Sequence, residues 1–206
     1  MFYPVRQGAF VGCGATPTAL LSRAIMMTAE KRTLVLINLL GGLAVLGSYA
    51  YYLAANPMTR SNLWGNVPDA LRPAYTASML LAAAGYFAFS YYVLFRIDAR
   101  EARIGGAYRY RVFLWIYAGI LAPSALWMPL TFRMFDEPGW GLWIATRGVL
   151  GLVGISSLAL IGAIAAVRPA GPAWARALAL LGALAFAVQT ALLDALVWPH
   201  YFPFPS

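Results

Sequence analysis

Two ionisable side chains fall inside runs that are otherwise apolar: Arg147, in the run 142–167, and Asp194, in the run 177–197. A charge in such a surrounding is costly to desolvate, and its usual roles are pairing, lining a polar cavity or carrying a substrate or proton. Both residues sit toward the same end of their runs, at comparable depth, and Arg133 closes a neighbouring run on the same side. An Arg147–Asp194 ion pair is therefore expected, with Arg133 within reach of joining it. Such a pair can simply neutralise two charges near the rim of a helical bundle. The alternative is the polar end of a ligand pocket, with Arg147 holding a carboxylate. Gln189 is the other deep polar side chain of the last run, and Trp198 lies four residues beyond Asp194, on the same helical face.

A third cluster of interest is the stretch AGILAPSALWMPLTF, residues 118–132, where Pro123 and Pro129 flank Ser124 and Trp127. Proline lacks the backbone donor and crowds the preceding turn, so each one is expected to bend or end the helix. In a bilayer the freed carbonyls need a neighbouring helix, a hydroxyl or a water. Ser124 and Trp127, three residues apart, share the face beside that distortion. One reading is a proline-kinked helix with an interfacial Trp. The other is a ligand wall, in which Trp127 offers a flat polarizable surface.

Catalytic sets are missing. The chain has one histidine, His200, in an aromatic tail, and one cysteine, Cys13. That excludes a Ser/His/Asp triad within the spans, a bis-histidine haem in one chain, an HExxH site, an internal disulfide and a zinc knuckle. Asp136 and Glu137 are adjacent loop residues that point in different directions. No metal site and no required cofactor follow from these residues, and an enzyme is the less favoured class.

These residues are positioned by membrane-length helices. Of 206 residues, 62% are hydrophobic and 11% charged, and the mean hydropathy is +0.70. So few polar side chains cannot clothe an ordinary water-facing surface. Five apolar runs, about 34–55, 74–95, 112–132, 142–167 and 177–197, match the ~30 Å hydrocarbon core of a bilayer. The fold class is all-α, a polytopic five-transmembrane-helix bundle over residues 34–200, with a short tail at 201–206. Residues 1–33 hold only a broken apolar stretch and make a poor signal peptide. They are expected to be an N-terminal leader, of which 1–25 is either disordered or an over-long start, since Met26 and Met27 precede TAEKR.

The formal charge of +8 is not a nucleic-acid signal, although Tyr108-Arg109-Tyr110-Arg111 interleaves aromatic and basic residues. The arginines sit between spans, where they meet anionic lipid and set topology. Eleven of the fifteen Lys and Arg lie in the N-terminal segment and the second and fourth loops. The positive-inside rule then places the N-terminus in the cytoplasm and the C-terminus outside. Trp64, in the first loop, is either an interfacial anchor or a ligand contact. Small residues Ala82, Ala83, Ala84 and Gly85 in span two, and Gly148, Gly151 and Gly154 in span four, suit close helix contact. An odd number of spans and the lack of an internal repeat do not fit an inverted-repeat transporter.

The segment Ser124-Ala125-Leu126-Trp127-Met128-Pro129 resembles the third-helix pattern Asn-x-Leu-Trp-x-Pro of the tryptophan-rich sensory protein/translocator protein (TspO/MBR) family. Leu193-Asp194 is similar to a Leu-Asn in that family's fifth helix. The five-span layout, the Trp-bearing first loop and the aromatic second span also agree. Ser124 and Asp194 stand where the family has asparagine, and the first loop reads LWGNVP in place of a longer Trp-Tyr and Lys-Pro rich segment. The resemblance implies a pocket within the bundle for a tetrapyrrole of porphyrin or haem type, or a sterol-like molecule, often in a homodimer. On that expectation Trp64, Tyr86, Trp127, Gln189 and Asp194 line the pocket, and the span-four glycines serve a contact within the bundle or across the dimer. A small carrier relying on Asp194, and a non-catalytic accessory subunit of a membrane complex, are the readings from other classes.

Overall fold

The computed structural model describes residues 27–202. The expected leader up to residue 26 and the tail from 203 lie outside the described residues. Five helices are long and apolar enough to cross a membrane: Ala29–Ala55, Asp69–Arg96, Arg111–Asp136, Trp140–Ala166 and Ala173–Tyr201. The protein is thus an all-α five-helix bundle with the architecture of a multi-pass integral membrane protein. Its α-helices are α1 (Ala29–Ala55), α2 (Arg72–Tyr91), α3 (Arg111–Asp136), α4 (Trp140–Ala166), α5 (Ala173–Ala187) and the short α6 (Trp198–Tyr201). Two stretches are π-helical: Tyr92–Arg96 continues α2, and Val188–Val197 joins α5 to α6.

Helix α1 starts on Thr28, whose side chain accepts from the Lys31 N–H at 3.3 Å, with Glu30 in the first turn. Residues 29–33, expected to belong to the leader, are therefore the first turn of span one. The helix stops at Asn56, just before Pro57. Helix α3 runs unbroken through Pro123 and Pro129. Of the two outcomes expected there, a bend or an end, the end does not occur, and Ser124 donates its hydroxyl to the Ile120 carbonyl at 2.7 Å.

The helices neighbour one another in the order α1, α3, α4, α5, α2. Helix α1 is peripheral. Leu34 is its one buried residue among those described, and Leu36, Leu39, Leu40, Leu43 and Leu46 are exposed where lipid would lie. A close crossing joins α2 to α5 at Gly85 and Gly182, where a Cβ on Gly182 would sit 2.7 Å from the Gly85 carbonyl oxygen. Of the span-four glycines, Gly154 meets the π-helical stretch, with Ala191 Cα 2.9 Å from the place of a Cβ, whereas Gly148 and Gly151 face open space.

At one end of the bundle the second and fourth loops are sewn together. Strands β1 (Arg103–Ile104), β2 (Tyr108–Arg109) and β3 (Val167–Arg168) form a small antiparallel sheet in the order β2-β1-β3. Tyr92 donates to the Ala170 carbonyl at 2.6 Å and Tyr110 to the Val93 carbonyl at 3.0 Å. Burial pushes the Tyr110 phenol well above its ordinary range, with Glu30 adding to the effect. At the opposite, far end, the first loop folds over the end of span five: Trp198 Nε1 donates to the Leu63 carbonyl at 2.8 Å, and Asn66 N to the Tyr201 carbonyl at 2.9 Å.

Candidate functional site

The far half of the bundle holds the polar residues singled out above. Gln189 and Asp194 both sit within the π-helical stretch Val188–Val197. Gln189 donates Nε2 to Asp194 Oδ1 at 2.8 Å. Residues five apart lie on different faces of an α-helix, and an i to i+5 winding brings them back onto one. Gln189 is buried and Asp194 half-buried.

Aromatic rings from the other spans gather at this level. Trp127 of α3 touches Tyr49 of α1 (centroids 5.6 Å apart) and Trp198 of α6 (5.9 Å). Trp198 stacks on Phe202 at 4.3 Å. Trp64 meets Tyr75 edge to face at 6.2 Å, and the Tyr75 hydroxyl reaches the Leu193 carbonyl at 3.5 Å. Tyr49 and Tyr75 both lie within electrostatic reach of Asp194. Trp64, Tyr75, Trp127, Leu193 and Trp198 belong to one apolar cluster.

Within this half, several polar atoms are shut off from solvent without a hydrogen-bond partner among the described residues. They are Trp127 Nε1, the hydroxyls of Thr131 and Thr146, and Gln189 Oε1. Thr131 is one turn beyond Trp127 on the same face of α3. Buried polar groups normally find partners, so a concentration of orphaned donors and acceptors beside aromatic surface is a feature of ligand sites.

Four of the five expected pocket residues, Trp64, Trp127, Gln189 and Asp194, lie in this half. Tyr86 does not join them. Its hydroxyl donates to Asn38 Oδ1 at 2.6 Å, and its ring packs with Phe89, Tyr117 and Phe186 in the apolar cluster nearer the sheet end. The expected Arg147–Asp194 ion pair is not among the ion pairs of the described residues. Arg147 instead donates Nη2 to the Pro199 carbonyl at 2.6 Å and lies over the Trp143 ring, 3.6 Å from its centroid. Arg133 is also apart, 3.7 Å from Glu137 on the exposed surface. The reason is rotational. Spacing along a span gives depth, but the π-helical winding and the α4 face decide which way each charge points.

Tyr49, Tyr75, Thr131 and Thr146 are the site residues that sequence reasoning missed. Tyr49 reads as part of an interfacial belt, and threonines carry no signal in an apolar run. A groove of about 400 Å³ opens elsewhere, between α1 and α3, lined in part by Tyr52, Asn56, Pro129 and Arg133. It contains none of Trp127, Gln189 or Asp194, so it lies apart from the Gln189–Asp194 pair. Among the described residues no group of three or more His, Cys, Asp or Glu could hold a metal ion. Comparison with protein-family models, with curated proteins and with solved structures yields no match.

Proposed function

We propose that this protein binds a hydrophobic, ring-bearing small molecule in the far half of its five-helix bundle. The observation that carries the reading is the gathering of Tyr49, Trp127 and Trp198 next to the Gln189–Asp194 pair, with buried unpartnered polar atoms on three spans. Flat aromatic walls with a few fixed polar groups at one place describe a small-molecule site. The resemblance to the TspO/MBR family points the same way and names tetrapyrroles and sterol-like molecules as the first compounds to try. With the arginine-rich loops on the cytoplasmic side, the site opens toward the outer half of the membrane.

The test is titration of the detergent-purified protein with a porphyrin, followed by Trp fluorescence, with Trp127→Phe alongside. Saturable quenching that weakens in the variant is expected. Wild-type protein that is folded yet shows no saturable binding of a porphyrin, a sterol or a ring-bearing amine sinks the proposal. A second reading, a small carrier, is favoured by Asp194 itself, a carboxylate within a span. It predicts that Asp194→Asn protein in proteoliposomes keeps binding its ligand but loses flux.

A further inference from the structure

The charge arrangement of the far-half site narrows its ligand further, on the premise that the site proposed above is a binding site. Among the described residues Asp194 enters no ion pair, and its hydrogen-bond partner is the neutral Gln189 amide. The arginines expected at its depth make other contacts, Arg147 with the Pro199 carbonyl and the Trp143 ring and Arg133 with Glu137, and Arg176, nearer in the sequence, donates to the Ile164 carbonyl. A carboxylate among apolar and aromatic side chains is expensive to ionise, so it either holds a proton or is met by a cation, and a protonated amine brings that cation.

Gln189 has spent an N–H on Asp194, and its oxygen, shut off from solvent, has no donor among the described residues. A carboxyl group and an amide oxygen that lacks a donor therefore stand side by side. Within electrostatic reach of Asp194 are the phenols of Tyr49 and Tyr75, and Tyr49 continues through Trp127 to Trp198 as a run of ring contacts. Ring faces attract a cation by their quadrupole, most strongly where water is excluded. An anionic group placed against Asp194 would be repelled, so a porphyrin's carboxylates would have to lie away from it. A quaternary ammonium would satisfy the charge and the rings but leave Gln189 Oε1 without a donor.

We infer that the site takes a protonated amine carried on a hydrophobic ring body, its N–H groups on Asp194 and Gln189 Oε1 and its charge against the tyrosine and tryptophan rings. Trp127 Nε1 and the Thr131 and Thr146 hydroxyls are then left for polar atoms of the ring body.

The experiment is a scintillation-proximity assay on the full chain in detergent with tritiated naphthylmethylamine. Methylnaphthalene serves as the neutral competitor and naphthylacetate as the anionic one. Saturable amine binding is expected, with the neutral and anionic competitors at least about tenfold weaker. Asp194→Asn should lower amine affinity by about tenfold or more while leaving that of methylnaphthalene unchanged. The near-isosteric Asn can still accept from Gln189, which protects the fold, and unchanged neutral binding reports that the site is intact. Gln189→Leu should weaken the amine as well. Equal binding of amine and neutral compound, unaffected by Asp194→Asn, overturns the amine assignment and leaves the binding site standing. Preferred binding of the anion overturns it too. Folded wild-type protein that binds none of the three, nor a porphyrin, overturns both.

Discussion

Gln189 and Asp194 are joined by a side-chain hydrogen bond of 2.8 Å across five positions of one helix. In α-helical winding these positions diverge by about 140° around the axis. The bond exists because residues Val188–Val197 wind as a π-helix, and such stretches are frequent at functional sites. Truncating one partner strands the other. Gln189→Leu should cost ~1–3 kcal/mol of stability in detergent. The double variant Gln189→Leu/Asp194→Leu should recover much of that loss, because it removes the stranded carboxylate as well. A double-mutant cycle by equilibrium unfolding that shows simple additivity would mean that the bond carries no coupling.

Trp127→Phe keeps a ring against Tyr49 and Trp198 but removes an N–H that has no partner among the described residues. Thermal stability should stay within about 0.5 kcal/mol of wild type, while ligand affinity falls by roughly 1 kcal/mol. A stability loss with ligand binding intact would assign Trp127 to the core.

The Gly85–Gly182 crossing leaves no room for a side chain, since a Cβ on either glycine meets the other's backbone. Gly85→Val should destabilise the bundle by about 1–3 kcal/mol or more by forcing α2 and α5 apart. Gly148→Ala and Gly151→Ala face open space and should change stability by no more than about 0.5 kcal/mol. Should the two lie at a homodimer contact, Gly148→Leu and Gly151→Leu will shift the size-exclusion profile toward monomer while each chain stays folded.

Orientation is accessible to cysteine labelling in a Cys13→Ala background. Tyr108→Cys, in the arginine-rich loop, should react with a membrane-impermeant maleimide only from the cytoplasmic side. Ser61→Cys, in the first loop, should react only from outside. The reverse pattern would turn the site over to the cytoplasmic half.

Tyr110 supplies a pH dependence. Its buried phenol titrates above the ordinary value, so between pH ~10 and the folded-state value the folded chain holds a proton that the unfolded chain has lost. Stability contributed by the neutral phenol is complete below pH ~10 and declines as pH rises beyond it. Tyr110→Phe loses the bond to the Val93 carbonyl but should flatten that alkaline decline, measured by thermal unfolding across pH 8 to 11 or so.

Much of the architecture is legible before any coordinates. Five runs of membrane length, Asn56-Pro57 as a helix stop, and the small residues around Gly85 all follow from one-dimensional pattern, because a bilayer imposes length and apolarity on each span independently of its neighbours. Residue depth is legible for the same reason, which is how Trp64, Trp127, Gln189 and Asp194 can be assigned to one end of the molecule.

Azimuth is not legible. Arg147 and Asp194 share a depth, yet Arg147 turns to Pro199 and Trp143 while Asp194 turns to Gln189. Gly148, Gly151 and Gly154 share a spacing, yet Gly154 is the one against span five. Tyr86 has the composition of a pocket wall and is claimed by Asn38 on α1. Local sequence dictates that a helix forms and how long it is. The rotation of that helix, and a shift from α to π winding midway, depend on which partner surfaces leave the fewest clashes and unpaired groups, and only packing of all five spans decides that.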